Sequence, residues 1–330
     1  MKCAALVLTA LVLSPSAAQA YLHMTIARAG QTTVLKWQRM PVRWFATDRG
    51  VAGVPASEFQ AVMARAFAVW QDVPTAAIAF EFGGFTGAEP FDDDNVSVLG
   101  FQSEPDLDRV LGATGFLVDV VTGDIIEADI FFNSTFPWST APGGDPSAFD
   151  LESVAVHEIG HLLGLGHSAL GETELRSDGS RRVLASGSVM FPISFGRGVT
   201  HDRQLQPDDI AGVSDLYPDG GFRQQTGIVR GRVTRNGVGV LGAHVIAFHP
   251  QSRRMIAGFT VNRNGEFEIA GLPAGAHVSR VEPLDDADID SFFSIRDPIE
   301  VNFRVTFHDR LFVAPRGGQG EPVVVPVAPR

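Results

Sequence analysis

The sequence predicts an α+β domain with helices around a twisted, mostly parallel sheet, followed by an all-β sandwich domain. Three observations support this fold class. Segments with helical and with strand-like hydrophobic periods alternate between Trp37 and Tyr217. From Gly227 onward the pattern changes to short alternating runs separated by Asn-Gly pairs, which are typical of β-hairpins. The turn-rich residues 218–221 lie between the two patterns and predict a linker over 219–226.

Length and composition agree with two globular domains. The chain has 330 residues, of which 45 % are hydrophobic and 19 % charged, so it contains enough apolar material for substantial cores. Its net charge is −12 and the sequence contains no basic run, which excludes nucleic acid as the expected partner. Cys3 is the only cysteine, and this excludes a disulfide-stabilised scaffold.

Residues 1–20 have the pattern of a signal peptide. Lys2 precedes an apolar stretch over 4–13, and small residues at 18–20 are typical of a signal-peptidase site. The apolar stretch is shorter than the roughly 20 residues that span a bilayer. We therefore expect a secreted or periplasmic protein with no membrane association after cleavage, in which a short segment over 21–36 precedes the first domain.

The first domain is predicted over 37–218. Strands are expected over 41–45, 77–82, 96–101, 113–120 and 125–132. A helix between the first two strands has an apolar face formed by Phe59, Val62, Met63, Ala66, Phe67 and Trp70. Ser57 and Gln60 have the spacing of a capping box at the start of this helix. A last helix is expected to begin at Pro207 and to end before Pro218.

One run in this domain has the pattern H-E-x-x-H-x-x-G-x-x-H. His157 and His161 are four residues apart, so on a helix both imidazoles project from one face at a separation that a single zinc ion bridges. Gly164 permits a turn with positive φ, which allows His167 to reach the same ion. Three ligands leave the fourth position open, as in catalytic zinc sites. Glu158 points toward the same cavity and is the expected general base.

These residues resemble the motif of the matrixins, a branch of the metzincin zinc endopeptidases, and the bacterial members above all. Met190 fits the methionine turn of this family, which lies beneath the zinc without binding it. Ser168, Pro192 and the segment 205–217 match the matrixin branch. The resemblance covers about residues 37–217. It implies one catalytic zinc, a protein or peptide substrate, and a substrate pocket walled by Pro192, Ser194 and Phe195.

The sequence also departs from the family pattern at further metal sites. Phe131 occupies the position of a histidine that holds a second zinc in animal matrixins, so the resemblance implies a single zinc. Asp129 matches one calcium ligand of the family, and Asn133 and Phe136 replace two others. Calcium at Asp129 is therefore a further expectation. The acidic run 92–94 is open to two interpretations, a solvated loop or another calcium site.

The remaining segments complete the domain assignment. Residues 169–185 are expected to form an inserted loop near the cleft. Over 227–283, hairpin turns at Asn236-Gly237 and Asn264-Gly265 resemble a carboxypeptidase-regulatory-like, or transthyretin-like, β-sandwich module. Residues 284–330 are expected to form a β-rich extension and C-terminal tail. We interpret the histidines of the second domain, His244, His249 and His277, as ordinary β-domain residues.

Two functions follow from these observations. The first is a secreted zinc-dependent endopeptidase, in which a zinc-activated water and Glu158 hydrolyse peptide bonds, acting as a monomer. The second is an exported binding or adhesion protein in which the peptidase fold binds zinc without catalysis and the β-module binds the partner. Zinc stoichiometry combined with a peptidase assay distinguishes them.

Overall fold

The computed structural model describes residues 23–28, 31–194, 196–293 and 297–330. The predicted signal peptide, 1–20, lies outside these residues. The helices are α1 Ala56–Gln71, α2 Leu151–Leu162, α3 Pro207–Leu216 and α4 Phe222–Gln225, with short 3-10 helices at His201–Arg203 and Ile289–Ser291. The strands before α3 are β1 Thr25–Arg28, β2 Gln31–Val34, β3 Val42–Thr47, β4 Phe80–Thr86, β5 Ser97–Gln102, β6 Gly112–Val118, β7 Ile125–Asn133, β8 Trp138–Ser139, β9 Phe149–Asp150, β10 Gly171–Leu175 and β11 Arg181–Ser186. Those after α4 are β12 Gly227–Arg235, β13 Val238–Gly239, β14 His244–His249, β15 Arg254–Phe259, β16 Glu266–Leu272, β17 Gly275–Glu282, β18 Thr306–Phe307, β19 Phe312–Ala314 and β20 Val323–Pro326.

Five strands form the main sheet of the first domain, in the order β4-β3-β5-β7-β6. All neighbours in this sheet are parallel except β6 and β7, which are antiparallel. Helix α1 provides the crossover between the parallel strands β3 and β4. The predicted mostly parallel sheet is therefore confirmed, and its edge strand β6 reverses direction.

Helix α1 buries the apolar face that its periodicity predicts. Phe59 and Trp70, near its two ends, are both fully buried, and the Trp70 indole N–H donates to the carbonyl of Val156 on α2 at 2.8 Å. The predicted capping box is wrong, because the helix begins at Ala56 after an extended Pro55 and no side chain caps it. Ser57 consequently lies inside the first turn.

The second domain consists of two facing sheets. One contains β13, β12, β16 and β20, and the other contains β15, β14, β17, β18 and β19. Apolar side chains from both sheets fill the space between them, including Val229, Val233, Val245, Ile256, Phe267, Ile269, Val281 and Phe303. The all-β sandwich is thus confirmed, and three of its strands, β18 to β20, come from the extension over 284–330.

Two local predictions need correction. The turn at Asn264-Gly265 does not close a hairpin, since β15 pairs with β14 while β16 pairs with β12 in the opposite sheet. The inserted loop over 169–185 is a β-hairpin of β10 and β11. Among the helices of the described residues, none has the length and apolar character needed to cross a membrane.

Candidate metal centre

Helix α2 carries the first half of the motif. Its N-cap is Asp150, whose carboxylate accepts the backbone N–H of Ser153 at 2.9 Å and also pairs with the Arg203 guanidinium. His157 and His161 both lie within this helix, four residues and therefore one turn apart on the same face, with their ring centroids 4.8 Å apart.

Gly164 then reverses the chain. Its φ is +98°, and a Cβ at this position would lie 2.3 Å from the Leu35 carbonyl oxygen, so glycine is required both by conformation and by space. The reversal brings His167 to the two helical histidines, and Nε2 of His161 and Nε2 of His167 are 3.1 Å apart. The potential ligand atoms of His157, His161 and His167 all lie within 4.8 Å of one another.

Each imidazole is oriented by a backbone carbonyl. The Nδ1 atoms of His157, His161 and His167 lie 2.7, 2.8 and 2.7 Å from the carbonyl oxygens of Val189, Leu165 and Ser291. Because a carbonyl only accepts, each Nδ1 carries the proton and each Nε2 presents a lone pair. The partner of His167 belongs to the second domain, 124 residues further along the chain.

This arrangement fits a zinc ion. Two lone pairs at 3.1 Å repel each other unless a cation lies between them, and imidazole nitrogen is a preferred zinc ligand. Burial lowers the pKa of all three histidines, to about 3 for His157, with neighbouring histidines adding to the effect for His157 and His161. The rings are therefore neutral, as metal binding requires. Within the described residues this is the one group of three or more side chains placed to hold a metal.

Glu158 lies beside the three histidines and is 5 % exposed. Its Oε2 accepts the hydroxyl proton of Thr114 at 2.8 Å, and Thr114 comes from the edge strand β6. Burial raises the pKa of Glu158 to about 7, although the Thr114 hydrogen bond opposes this rise. Thr114 was not predicted as a site residue, since a threonine in a strand carries no local signal of this contact.

Met190 lies directly beneath α2. A Cβ at Gly160 would be 2.3 Å from Met190 Sδ, so the glycine allows the methionine to contact the helix. The turn around Met190 is held by Asp209, whose carboxylate accepts the N–H groups of Val189 at 2.9 Å and Met190 at 3.3 Å. Since the Val189 carbonyl also orients His157, the turn around Met190 positions this candidate metal ligand through its backbone.

The predicted pocket residues are only partly described. Pro192 is half-buried and Ser194 is exposed, whereas Phe195 lies outside the described residues. Between them, Ile193 packs with the buried Phe191 against aromatic side chains of the second domain, Phe259 and Phe292 among them. A role of Pro192, Ser194 and Phe195 in substrate binding stays a prediction.

The positions related to further metal sites have other partners in the structure. Asp129 accepts the N–H groups of Phe91 at 2.6 Å and Val98 at 2.7 Å, and burial raises its pKa to about 7. The Asn133 amide donates to three carbonyls of the loop over 104–110. Phe131 packs edge-on against Phe91, with centroids 5.6 Å apart. Calcium at Asp129 stays a prediction.

Asp208 is a buried carboxylate at the contact between the two domains. It accepts the Ser168 hydroxyl at 2.6 Å and the N–H of Ala257, on β15, at 2.8 Å. Burial raises its pKa to about 8, and neighbouring Asp209 adds to the rise. Asp208 and Asp209 both lie in the first turn of α3, where they hold Ser168 and the backbone of Val189 on the two sides of the histidine cluster.

We expect this raised pKa to make stability fall with pH. Between about pH 4 and 8 the folded chain holds a proton that the unfolded chain releases, so the free energy of unfolding decreases as pH rises. In the Asp208→Asn variant, the free energy of unfolding should fall less steeply with pH than in the wild type, by on the order of 1 kcal/mol per pH unit. Urea unfolding at several pH values, with chelator present, measures the effect. The control Asp309→Asn changes an exposed aspartate and should leave the pH dependence of the free energy of unfolding as in the wild type. If this free energy varied with pH in the same way in the wild type and in Asp208→Asn, the expectation would be contradicted.

Comparisons with known proteins agree with this site. The matrixin family model matches residues 36–218, more than half of the chain. Metalloendoproteinase 2-MMP of Arabidopsis thaliana is 34 % identical over 181 residues, which cover 48 % of this chain and 37 % of that protein. Metalloendoproteinase 1 of Glycine max is 33 % identical over 174 residues, covering 48 % and 45 %.

Karilysin of the bacterium Tannerella forsythia is 26 % identical over 195 residues, covering 55 % of this chain and 33 % of its own length. The matched regions thus span less than half the length of each of these relatives. The family match ends at residue 218, before the predicted module over 227–283, so the assignment of this module stays a prediction. The match to residues 36–218, together with the three converging histidines, shows that the chain belongs to the matrixin family.

Proposed function

We propose that the protein is an exported zinc-dependent endopeptidase that hydrolyses internal peptide bonds of protein or peptide substrates. Its expected location is secreted or periplasmic, and it is expected to act as a monomer. The observation that carries the proposal is the convergence of three imidazole Nε2 lone pairs beside the buried carboxylate of Glu158. Three ligands with one open position are typical of catalytic zinc.

His157, His161 and His167 would hold the ion, and Glu158 would transfer the protons. When bound, zinc lowers the pKa of a coordinated water towards about 7 and polarises the substrate carbonyl. The Thr114 hydroxyl holds Glu158 Oε2, which leaves Oε1 to accept the proton of the attacking water. The same carboxyl group would then donate this proton to the nitrogen of the leaving amine.

The edge strand β6 is placed to bind an extended substrate. Within the described residues β6 pairs only with β7, so its other edge presents unpaired backbone groups. A Cβ at Gly112, the first residue of β6, would be 3.4 Å from Glu158 Oε1, which places this strand next to the reacting groups. A peptide that pairs with β6 would therefore pass Glu158 along its length, as an endopeptidase requires.

Removal of the metal tests this proposal. We expect a chelator to abolish hydrolysis of a mixed peptide library, and one equivalent of zinc to restore it, because the pattern provides one three-histidine site. His161→Ala should abolish both zinc binding and hydrolysis, whereas the exposed His201→Ala serves as the matched control. One bound zinc per chain without hydrolysis of any peptide would refute the proposal and favour the binding or adhesion protein.

A further inference from the structure

The third histidine is oriented by the second domain. His157 and His161 donate from Nδ1 to carbonyls within the first domain, at Val189 and Leu165. His167 Nδ1 instead donates to Ser291 at 2.7 Å, and Ser291 ends the 3-10 helix Ile289–Ser291. A carbonyl in this position fixes both the tautomer and the ring plane of a metal-binding histidine.

An apolar cluster holds this carbonyl in place. Phe292, next to Ser291, is 2 % exposed and approaches the His167 ring edge-on with centroids 6.3 Å apart. It packs against Phe259 of β15, at 5.7 Å between centroids. Phe191, which follows Met190, belongs to the same cluster. The second domain therefore supports both His167 and the segment after the methionine turn.

The hairpin of β10 and β11 forms further hydrogen bonds with the segment that precedes Ser291. Thr173 donates its N–H to the Asp286 carboxylate at 3.1 Å and its hydroxyl to the Asp286 carbonyl at 2.5 Å. Arg181 donates to the carbonyl of Asp285 at 3.0 Å. The hairpin lies between His167 and Met190 in the sequence. The chain therefore contacts the segment that carries Ser291 after it passes His167 and before it reaches Met190.

A third contact fixes the residue after His167. Ser168 donates its hydroxyl to Asp208, and the other oxygen of Asp208 accepts the N–H of Ala257 on β15. His167 and Ser168 are thus each linked by hydrogen bonds to the second domain, directly in one case and through Asp208 in the other.

We propose that the second domain is an integral part of the metal centre, in which the Ser291 carbonyl positions His167 and the aromatic cluster around Phe292 holds that carbonyl. Ser291 is a positioning residue, since it acts on the metal only through the imidazole. The inference rests on the proposed zinc site, and it assigns the second domain a role in metal affinity that a separately folded accessory module would not have.

The test compares two buried phenylalanines of the second domain. Phe292→Ala removes support next to Ser291, whereas Phe303→Ala removes the same atoms from the sandwich core, where Phe303 is fully buried. The full-length chain is stripped of metal, and its zinc dissociation constant is measured by competition with a chelator. Cobalt(II) is then added in place of zinc, because its visible absorption bands report the geometry of the ligands.

We expect Phe292→Ala to raise the zinc dissociation constant about 10- to 100-fold and to shift the cobalt bands. Phe303→Ala should leave both readouts at wild-type values, although it lowers thermal stability. Thr173→Val, which removes one hydroxyl and keeps the shape, should weaken zinc binding in the same direction by less. It serves as the second test if Phe292→Ala does not fold.

The inference is overturned if Phe292→Ala and Thr173→Val both bind zinc like the wild type, or if Phe303→Ala weakens binding equally. Neither result depends on hydrolysis. A wild-type chain that binds zinc but cleaves no peptide would refute the proposed function alone, and a chain in which His161→Ala leaves zinc affinity unchanged would refute the metal site and this inference together.

Discussion

Glu158→Gln is expected to lower kcat/KM for peptide hydrolysis by about 10²- to 10⁴-fold while zinc binding stays at the wild-type level. The amide has nearly the same shape as the carboxylate, and its oxygen still accepts the Thr114 hydroxyl that now lies 2.8 Å from Oε2. It cannot take a proton from water at neutral pH. The loss therefore reports proton transfer and not the architecture of the site.

The matched control is Glu152→Gln on the same helix. Glu152 pairs with Arg65 at 2.8 Å. It lies five and nine residues before His157 and His161, which places it on the opposite side of α2, so its loss should leave kcat/KM close to the wild-type value. Initial rates on one fluorogenic peptide and zinc content by metal analysis give both quantities. A Glu158→Gln protein with full zinc content and wild-type kcat/KM would show that another group accepts the proton.

The convergence of the three histidines could be predicted from the sequence because its signal is local. His157 and His161 are joined by one helical turn, and the positive φ of Gly164 returns the chain toward both of them. The buried face of α1 was predictable for the same reason, since a 3.6-residue period reports which side of a helix is covered.

The partners of His167 and Glu158 could not be predicted, because they act through backbone groups or across long sequence separations. Ser291 contributes a carbonyl, which every residue possesses, and it lies 124 residues from His167. Thr114 reaches Glu158 from the edge strand β6, 44 residues earlier in the chain.

Turn signals in the sequence also predicted only part of the structure. Asn264-Gly265 marks a chain reversal, but a local turn does not determine whether the following strand joins the same sheet or the opposite one. The sequence therefore predicted the two layers of the second domain and the β12–β13 hairpin at Asn236-Gly237, but not the strand with which β16 pairs.

Gly164→Ala is expected to lower the free energy of unfolding by about 2–5 kcal/mol and to weaken zinc binding at least tenfold. Two costs combine at this position. A residue with a Cβ is strained at a φ of +98°, and its Cβ would lie 2.3 Å from the Leu35 carbonyl oxygen and 3.4 Å from the Leu216 side chain. Relief of the clash requires the turn to move, and His167 follows it three residues later.

Gly179→Ala separates these two costs. Gly179 has a similar φ of +80° in the tip of the β10 and β11 hairpin, where an added Cβ meets no atom within 4 Å. In Gly179→Ala the free energy of unfolding should fall only by the backbone strain at positive φ, about 1 kcal/mol, and the zinc affinity should stay at the wild-type value. Urea unfolding in the presence of a chelator measures the stability of each chain without the contribution of bound metal. Equal losses for the two variants would show that backbone strain alone requires glycine at 164, and unchanged zinc affinity in Gly164→Ala would show that His167 is held independently of the turn that precedes it.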